Sequence, residues 1–233
     1  QAHTDPAAAL DAYEKTILAA PQQRLHTDPV VHAYAITARR CGFHREHLVA
    51  FFSSMRADLT HREYSPSELQ DYIYGSAEAI GLLCLQIFLA EENVSPADRA
   101  AMERGARALG SAFQKINFLR DLREDSSTLG RTYFQQAPSG RIDEATKSAL
   151  IAEIRRELAT AALTIDLLPA SARVGVSAAA DIFAELTNRL AATPATALAT
   201  TRVSVPNHTK AWLAARAVRR RGRSSQISPT GEN

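Results

Sequence analysis

An all-α fold is predicted by three features of the chain. Long stretches rich in Ala, Leu, Ile, Arg and Glu, all good helix formers, carry apolar residues at every third or fourth position. The ten prolines and ten glycines fall mostly between those stretches. Helix starts are marked by Asp or Ser followed by Pro, at Asp5-Pro6, Asp28-Pro29, Ser65-Pro66 and Ser95-Pro96. There the side-chain oxygen caps free N–H groups, and proline suits the first helical position.

Asp5-Pro6 opens a helix over 6–20 and Asp28-Pro29 a second over 29–41, followed by a third over 45–59. Ser65 opens the fourth, over 66–91, and Glu68 three residues on completes a capping box. Ser95-Pro96 opens the fifth, over 96–126. In the sixth, over 143–168, Ile151, Ile154, Leu158, Ala161 and Ile165 form one apolar stripe, while Glu153, Arg155, Arg156 and Glu157 lie largely off it. Helices over 171–192 and 207–221 complete the set, and Ala192 to Thr201 reads as a loop or weak helix. No strand is needed, and neither a fixed-period repeat nor a domain linker is visible. Residues 1–221 are thus predicted to form a single all-helical domain, with 222–233 a disordered tail.

Composition narrows the functional class. With 233 residues, 45% apolar and 22% charged, the chain is an ordinary folded domain rather than a disordered, collagenous or coiled-coil one. No run approaches the roughly 18 apolar residues a membrane span needs, and the longest candidate, near Ile80 to Ala90, contains Gln86. Cys41 and Cys84 alone build no disulfide scaffold, so the cytoplasm is the default compartment. A net charge of +2 does not argue for nucleic acid. The basic residues Arg216, Arg219, Arg220, Arg221 and Arg223 are concentrated at the end. With Lys210, and with Trp212, Leu213 and Val218 as an apolar surface, they suggest peripheral contact with an anionic bilayer; the other reading is a packing helix followed by a solvated tail. The chain begins with Gln1 and has no basic-then-apolar leader, so residue 1 is expected to be a truncation point.

The segment most informative about chemistry is QKINFLRDLRED, Gln114 to Asp125, in the predicted fifth helix. Gln114, Asn117, Asp121 and Asp125 are spaced by three, four and four residues, which puts them on one side of a helix. Two like-charged carboxylates one turn apart are unfavourable on an isolated helix and become favourable around cations that also bind an anionic ligand. Hard divalent ions take such oxygen ligands together with substrate phosphates. The competing reading is a solvated face shared with Arg120 and Arg123. Against it, Phe113, Ile116 and Leu119 mark the mid-helix as core, so the polar stripe would run into an apolar interior.

A second segment, DYIYGSAEAIGLLCLQIF from Asp71 to Phe88, interleaves aromatics with Gly75, Ser76, Ala77, Ala79 and Gly81. Interior glycines cost a helix roughly 1 kcal/mol each relative to Ala, a cost usually offset by close approach of a neighbouring helix or of a ligand. Both readings stay open, and Glu78 is expected to face solvent. Cys41, His44 and His47 have spacing reminiscent of a metal site but no clear fourth ligand, and are read as incidental.

Together the two segments, preceded by SMRADL and followed by LGRTYF, resemble the squalene and phytoene synthase family, bacterial phytoene synthases most of all. The family's Y-x-x-x-x-A-x-x-x-G helix is matched by Tyr72, Ala77 and Gly81. Its second aspartate-rich motif, Q-x-x-N-x-x-R-D-x-x-x-D, is matched by Gln114, Asn117, Arg120, Asp121 and Asp125, and its later arginine and tyrosine by Arg131 and Tyr133. The late segment RVSVPNHTKAWLAARAV shares the family's character, and the similarity runs over nearly the whole chain.

The resemblance implies an isoprenoid-synthase-type helical domain around a central cavity. It also implies head-to-head condensation of two geranylgeranyl diphosphates to phytoene through a cyclopropyl diphosphate. Tyr72, Asp121 and Asp125 would be catalytic; Asn117, Asp121 and Asp125 would hold Mg2+, with Mn2+ as a substitute. Ala77, Ile80, Gly81, Gln114, Asn117, Arg120, Arg131 and Tyr133 would bind substrate. The family's first aspartate-rich motif has no match, since Asp5 and Asp11 lack its arginine context and Asp58 and Asp71 stand alone. The chain is therefore expected to be a fragment or a relative that has lost catalysis, and not to turn over by itself. Two alternatives stand beside phytoene formation. One is squalene or dehydrosqualene formation from farnesyl diphosphate, with NADPH needed for squalene. The other is a non-catalytic helical binding or assembly protein that keeps the fold.

Overall fold

The computed structural model describes residues 5–61, 63–124 and 142–224, and among them no β-strand forms. Local capping sets the helix starts. α1 (Pro6–Ala19) begins where the Asp5 side chain accepts from the Ala7 N–H, and a short 3-10 turn (Ala20–Gln22) follows it. α2 (Pro29–Cys41) is capped by Asp28, which accepts from Val30 and Val31, and is closed by Gly42 at φ 64°, a left-handed position that favours glycine. α3 (Arg45–Thr60) follows. α4 (Pro66–Ile73) opens on the predicted capping box of Ser65 and Glu68. Next come α5 (Ala79–Phe88), α6 (Pro96–Glu124), α7 (Glu144–Ile165), α8 (Ala170–Ala192), the single turn α9 (Ala195–Leu198) and α10 (Asn207–Ser224).

The predicted helix over 66–91 is not continuous. A π-helical turn, Tyr74–Glu78, separates α4 from α5, and α5 ends at Phe88. The cause lies in α3. The Ser54 hydroxyl donates to the Tyr72 carbonyl at 3.1 Å, and a Cβ on Gly75 would stand 2.1 Å from the Ala50 carbonyl oxygen. α3 therefore presses on the helix backbone and takes one of its acceptors, which is how π-bulges and kinks arise. Residues 222–224 continue α10; the rest of the predicted tail lies outside the described residues. No helix among the described residues is long and apolar enough to cross a membrane.

α6 is the axis of the molecule. Its Ala112, Ile116, Leu119 and Leu122 pack with Ile151 and Ile154 of α7 and Leu186 and Leu190 of α8 into the largest core cluster. A second cluster joins α1, α2 and α3 through Ile17, Val31, Ala35 and Phe52. The apolar stripe predicted on α7 packs inward, but Glu157 does not lie off it. Its carboxylate turns to α6, where Lys115 Nζ, buried, reaches Glu157 Oε1 at 2.5 Å and Glu153 Oε1 at 2.7 Å. Ser111 donates to the same Glu157 oxygen at 2.9 Å. Burial works against the Lys115 charge, but the hydrogen bonds it donates to Glu153 and Glu157 outweigh this and hold its pKa above the ordinary lysine value.

Removing Lys115 leaves Glu157 buried without its cation, so Lys115→Met is expected to lower stability by about 3 kcal/mol in urea melts. A pKa raised on folding gives stability that is fully present below the unfolded value, about 10.4 for lysine, and is lost as pH rises through the folded one. The stability gap between wild type and variant should accordingly narrow at strongly alkaline pH, and also as pH falls, because burial already raises the Glu157 pKa and protonating it removes the unpaired charge left in the variant. A gap that stays unchanged from neutral to strongly alkaline pH would contradict this assignment.

Candidate functional site

A mostly apolar cavity of about 590 Å³ lies between the π-turn with α5, α6, α7 and α8. Ala77, Ile80, Gly81, Cys84 and Phe88 form one wall. α6 supplies Met102, Ala106, Leu109 and Phe113, and then the polar pair Gln114 and Asn117. The opposite wall is built from Ala161 and Thr164 of α7, Leu168 of the turn that follows it, and Ala172, Gly175 and Ala179 of α8. Two glycines fix the spacing of the first wall. A Cβ on Gly81 would stand 2.7 Å from the Ala106 carbonyl oxygen, and one on Gly110 would stand 2.7 Å from that of Ala77. The small-residue stripe thus serves both roles left open by the sequence: Gly81 permits backbone contact with α6, and Ala77 and Gly81 together line the cavity.

Polar groups gather at one end. Ser76 Oγ and Asn117 Oδ1 belong to lining residues, are buried, and make no hydrogen bond. Such atoms cost roughly 1–3 kcal/mol each when left unsatisfied, and they mark a place where a ligand completes the bonding. Asp121 follows one turn beyond Asn117. Its carboxylate accepts from Arg120 Nε at 2.9 and 3.1 Å and pairs with Arg120 Nη2; Arg202 Nη2 reaches it at 3.2 Å from the segment before α10. Asn117 and, one turn on, Asp121 carry an amide oxygen and a carboxylate, hard-oxygen groups of the type divalent cations take, and here the carboxylate is engaged by Arg120 and Arg202.

The structure thus brings together Ala77, Ile80, Gly81, Gln114 and Asn117 around one cavity, with Arg120 and Asp121 continuing the stripe beyond its polar end. Asp125, Arg131 and Tyr133 lie outside the described residues. Tyr72 is not among the lining residues. Its ring packs between Tyr64 and Phe118, at 5.1 and 6.1 Å between centroids, and its hydroxyl donates to Asp58 at 3.1 Å. Glu78 does not face solvent freely: its side chain is 12% exposed and pairs with Arg107 at 2.7 Å. Sequence reasoning missed Ser76 as a cavity oxygen, Arg202 as a partner of Asp121, and the whole α7–α8 wall. The run of small residues in ASARVGVSAAA was the available signal for that wall.

The family model for squalene/phytoene synthase matches residues 1–209. The chain belongs to this family. It is similar to phytoene synthase 3, chloroplastic, of Zea mays, with 43% identity over 86 residues, a stretch spanning 35% of this chain and 19% of that protein. Among solved structures it resembles a dehydrosqualene synthase in complex with ligand, with TM-score 0.72, 19% identity, and 91% of this chain and 78% of that one covered. It also resembles the squalene synthase HpnC of Alicyclobacillus acidocaldarius, with TM-score 0.60, 20% identity, and 94% and 76% covered. The fold of this squalene/phytoene synthase family member is therefore the isoprenoid-synthase helical fold, and the stretch matched in the maize protein spans about a fifth of that protein's length.

The packing of the cavity wall is open to a paired test. Gly110→Ala drives a Cβ toward the Ala77 carbonyl and should cost about 1–3 kcal/mol as an overpacked contact. Gly175, in mid-α8 on the same cavity, has nothing within 4 Å of its Cβ position, so Gly175→Ala should stabilise by about 0.5–1 kcal/mol. Chemical denaturation of both variants checks the opposite signs.

Proposed function

We propose that the chain carries the substrate-binding half of an enzyme that joins two geranylgeranyl diphosphates head to head into phytoene. The observation that carries this reading is the length of the cavity. It follows α6 from Asn117 to Met102, and at 1.5 Å per residue those fifteen steps span about 22 Å. A geranylgeranyl chain has sixteen main-chain carbons and extends roughly 19 Å, whereas the twelve of a farnesyl chain extend roughly 14 Å. The longer tail fills the apolar groove while its diphosphate stays at the polar end. The stretch shared with the maize phytoene synthase supports the same choice.

In this reading Asn117 and Asp121 hold Mg2+, which when bound neutralises diphosphate charge. Arg120 and Arg202, both on Asp121, are placed to take over the phosphate oxygens as the diphosphate arrives. The C1–O bond of one substrate breaks, diphosphate leaves with the electron pair, and the double bond of the second substrate attacks the allylic carbon. Loss of a proton closes the cyclopropane. Departure of the second diphosphate, rearrangement and loss of a second proton give phytoene, so no reductant enters the balance. The aliphatic walls keep water from the cationic carbon.

Calorimetry with non-hydrolysable thiodiphosphates in Mg2+ tests the substrate. The geranylgeranyl analogue is expected to bind more tightly than the farnesyl one. Ala106 lies on α6 about 16.5 Å from Asn117, between the two tail lengths, so Ala106→Trp should block the groove beyond a farnesyl-length tail and reverse that preference. Equal affinity for both analogues in wild type would defeat the chain-length assignment. Product analysis of the gene's full translation product with each diphosphate then tests the reaction itself.

A long hydrocarbon product also favours a bilayer beside the enzyme, and α10 is proposed to rest on one. The expected apolar surface is corrected at Leu213, which is buried against the core, while Arg216 and Arg220 are held by Asp181 at 3.0 and 3.3 Å. Trp212 and Val218, each 58% exposed, remain at the surface with Lys210 and Arg219. Trp212→Ala and Arg219→Glu should each reduce co-sedimentation with anionic vesicles, and added salt should release the wild type. Salt-insensitive binding would rule this contact out.

A further inference from the structure

Outside the cavity, the turn between α2 and α3 gathers ligand-type side chains that the proposed reaction does not use. We propose that His44, Glu46 and His47 form a site for a borderline transition-metal ion of the zinc class. One ligand atom from each lies within 4.8 Å of the others, and His44 Nδ1 stands 3.6 Å from Glu46 Oε1. Tetrahedral ligands about 2.1 Å from zinc are separated by roughly 3.4 Å, so closing the site takes about an ångström of movement. The side chains of His44 and Glu46 are 60% and 72% exposed and have the freedom to supply it. Cys41, grouped with the histidines on sequence spacing, is not in the cluster; Glu46 takes its place.

Two features make this more than a chance grouping. The backbone carrying His44 is fixed from both sides: Gly42 takes the left-handed turn, and Gln86 of α5 donates to the Gly42 carbonyl at 2.9 Å and accepts from the His44 N–H at 3.5 Å. His44 occupies the N-cap position of α3 without using its ring as a cap, and that ring stacks on His47 at 5.5 Å. His47 is buried, and its Nδ1 lies 3.1 Å from the Tyr74 hydroxyl, the type of outer contact that orients a metal-binding imidazole. Glu46, in the first turn of α3, sets a negative charge against the positive helix end. Two imidazoles and a carboxylate are a zinc-type donor set with a fourth position left for water. Because Tyr74 begins the π-turn whose Ser76 and Ala77 line the cavity, a bound ion would also brace that wall.

Calorimetric titration of the full chain with Zn2+, in excess Mg2+ to occupy carboxylate-only sites, tests the proposal. One equivalent is expected to bind, with His44→Ala and Glu46→Gln each weakening it by at least about tenfold. Both positions are exposed, so these variants keep the fold. Asp121→Asn should leave Zn2+ binding unchanged, and Co2+ should give the intense visible bands of a tetrahedral site in wild type but not in His44→Ala. Absence of binding in wild type would overturn the site. So would unchanged affinity in the His44 and Glu46 variants, or loss of binding in Asp121→Asn.

Discussion

Backbone contact between α5 and α6 is the constraint on which the rest of the structure depends. Gly81 of α5 presses against the Ala106 carbonyl of α6, and Gly110 of α6 presses against the Ala77 carbonyl in the π-turn that leads into α5. Any side chain at either position would separate the helices. This reciprocal contact sets how far Ala77, Ile80 and Gly81 stand from Gln114 and Asn117 across the groove. The π-turn works with it. Without the extra residue between Tyr74 and Glu78, the small face of α5 would be rotated away from α6, because a one-residue shift turns a helix by roughly 100°.

α6 separates its duties by face. Toward α7 it buries Ile116 and Leu119 together with Lys115, whose charge is met by Glu153 and Glu157 within 2.7 Å. Toward the cavity it shows Met102, Leu109 and Phe113, and then Gln114 and Asn117. Lys115 adjoins Gln114 in sequence, yet its two carboxylate partners absorb its field on the far side of the helix. Among the described residues, none of the side chains lining the groove is charged, and the ion-paired Arg120, Asp121 and Arg202 lie beyond its Asn117 end.

How far the sequence revealed this structure follows from the range of each interaction. The caps at Asp5, Asp28, Ser65 and Ser95 act over two or three residues, and those helices start where the residues indicate. The polar stripe of α6 was legible for the same reason, since 3.6 residues per turn needs no partner. The break at Tyr74 was not, because its cause, Ser54 and Ala50, sits on another helix. Glu78 looked solvent-facing because Arg107, 29 residues away, is invisible to periodicity. Arg202 meets Asp121 only after α7 and α8 have turned the chain back on itself. Tyr72, matched by motif, packs into an aromatic cluster that pairwise spacing does not disclose.

The distribution of unsatisfied polar atoms connects packing with purpose. Most of the cavity wall is carbon, and its cost in water exposure is small once a hydrocarbon fills it. Ser76 Oγ and Asn117 Oδ1 are different, being buried oxygens without donors on a helix pair whose backbone is otherwise in close contact. A helix designed only to pack would carry alanine at both positions and avoid roughly 1–3 kcal/mol per atom. Two such oxygens on lining residues, with Asp121 one turn beyond Asn117 on α6, lower the stability of the empty protein by that amount and are satisfied only when a ligand supplies donors. A ligand with a charged head and a long apolar tail satisfies both ends at once, whereas a purely polar or purely apolar one would satisfy only half of the site.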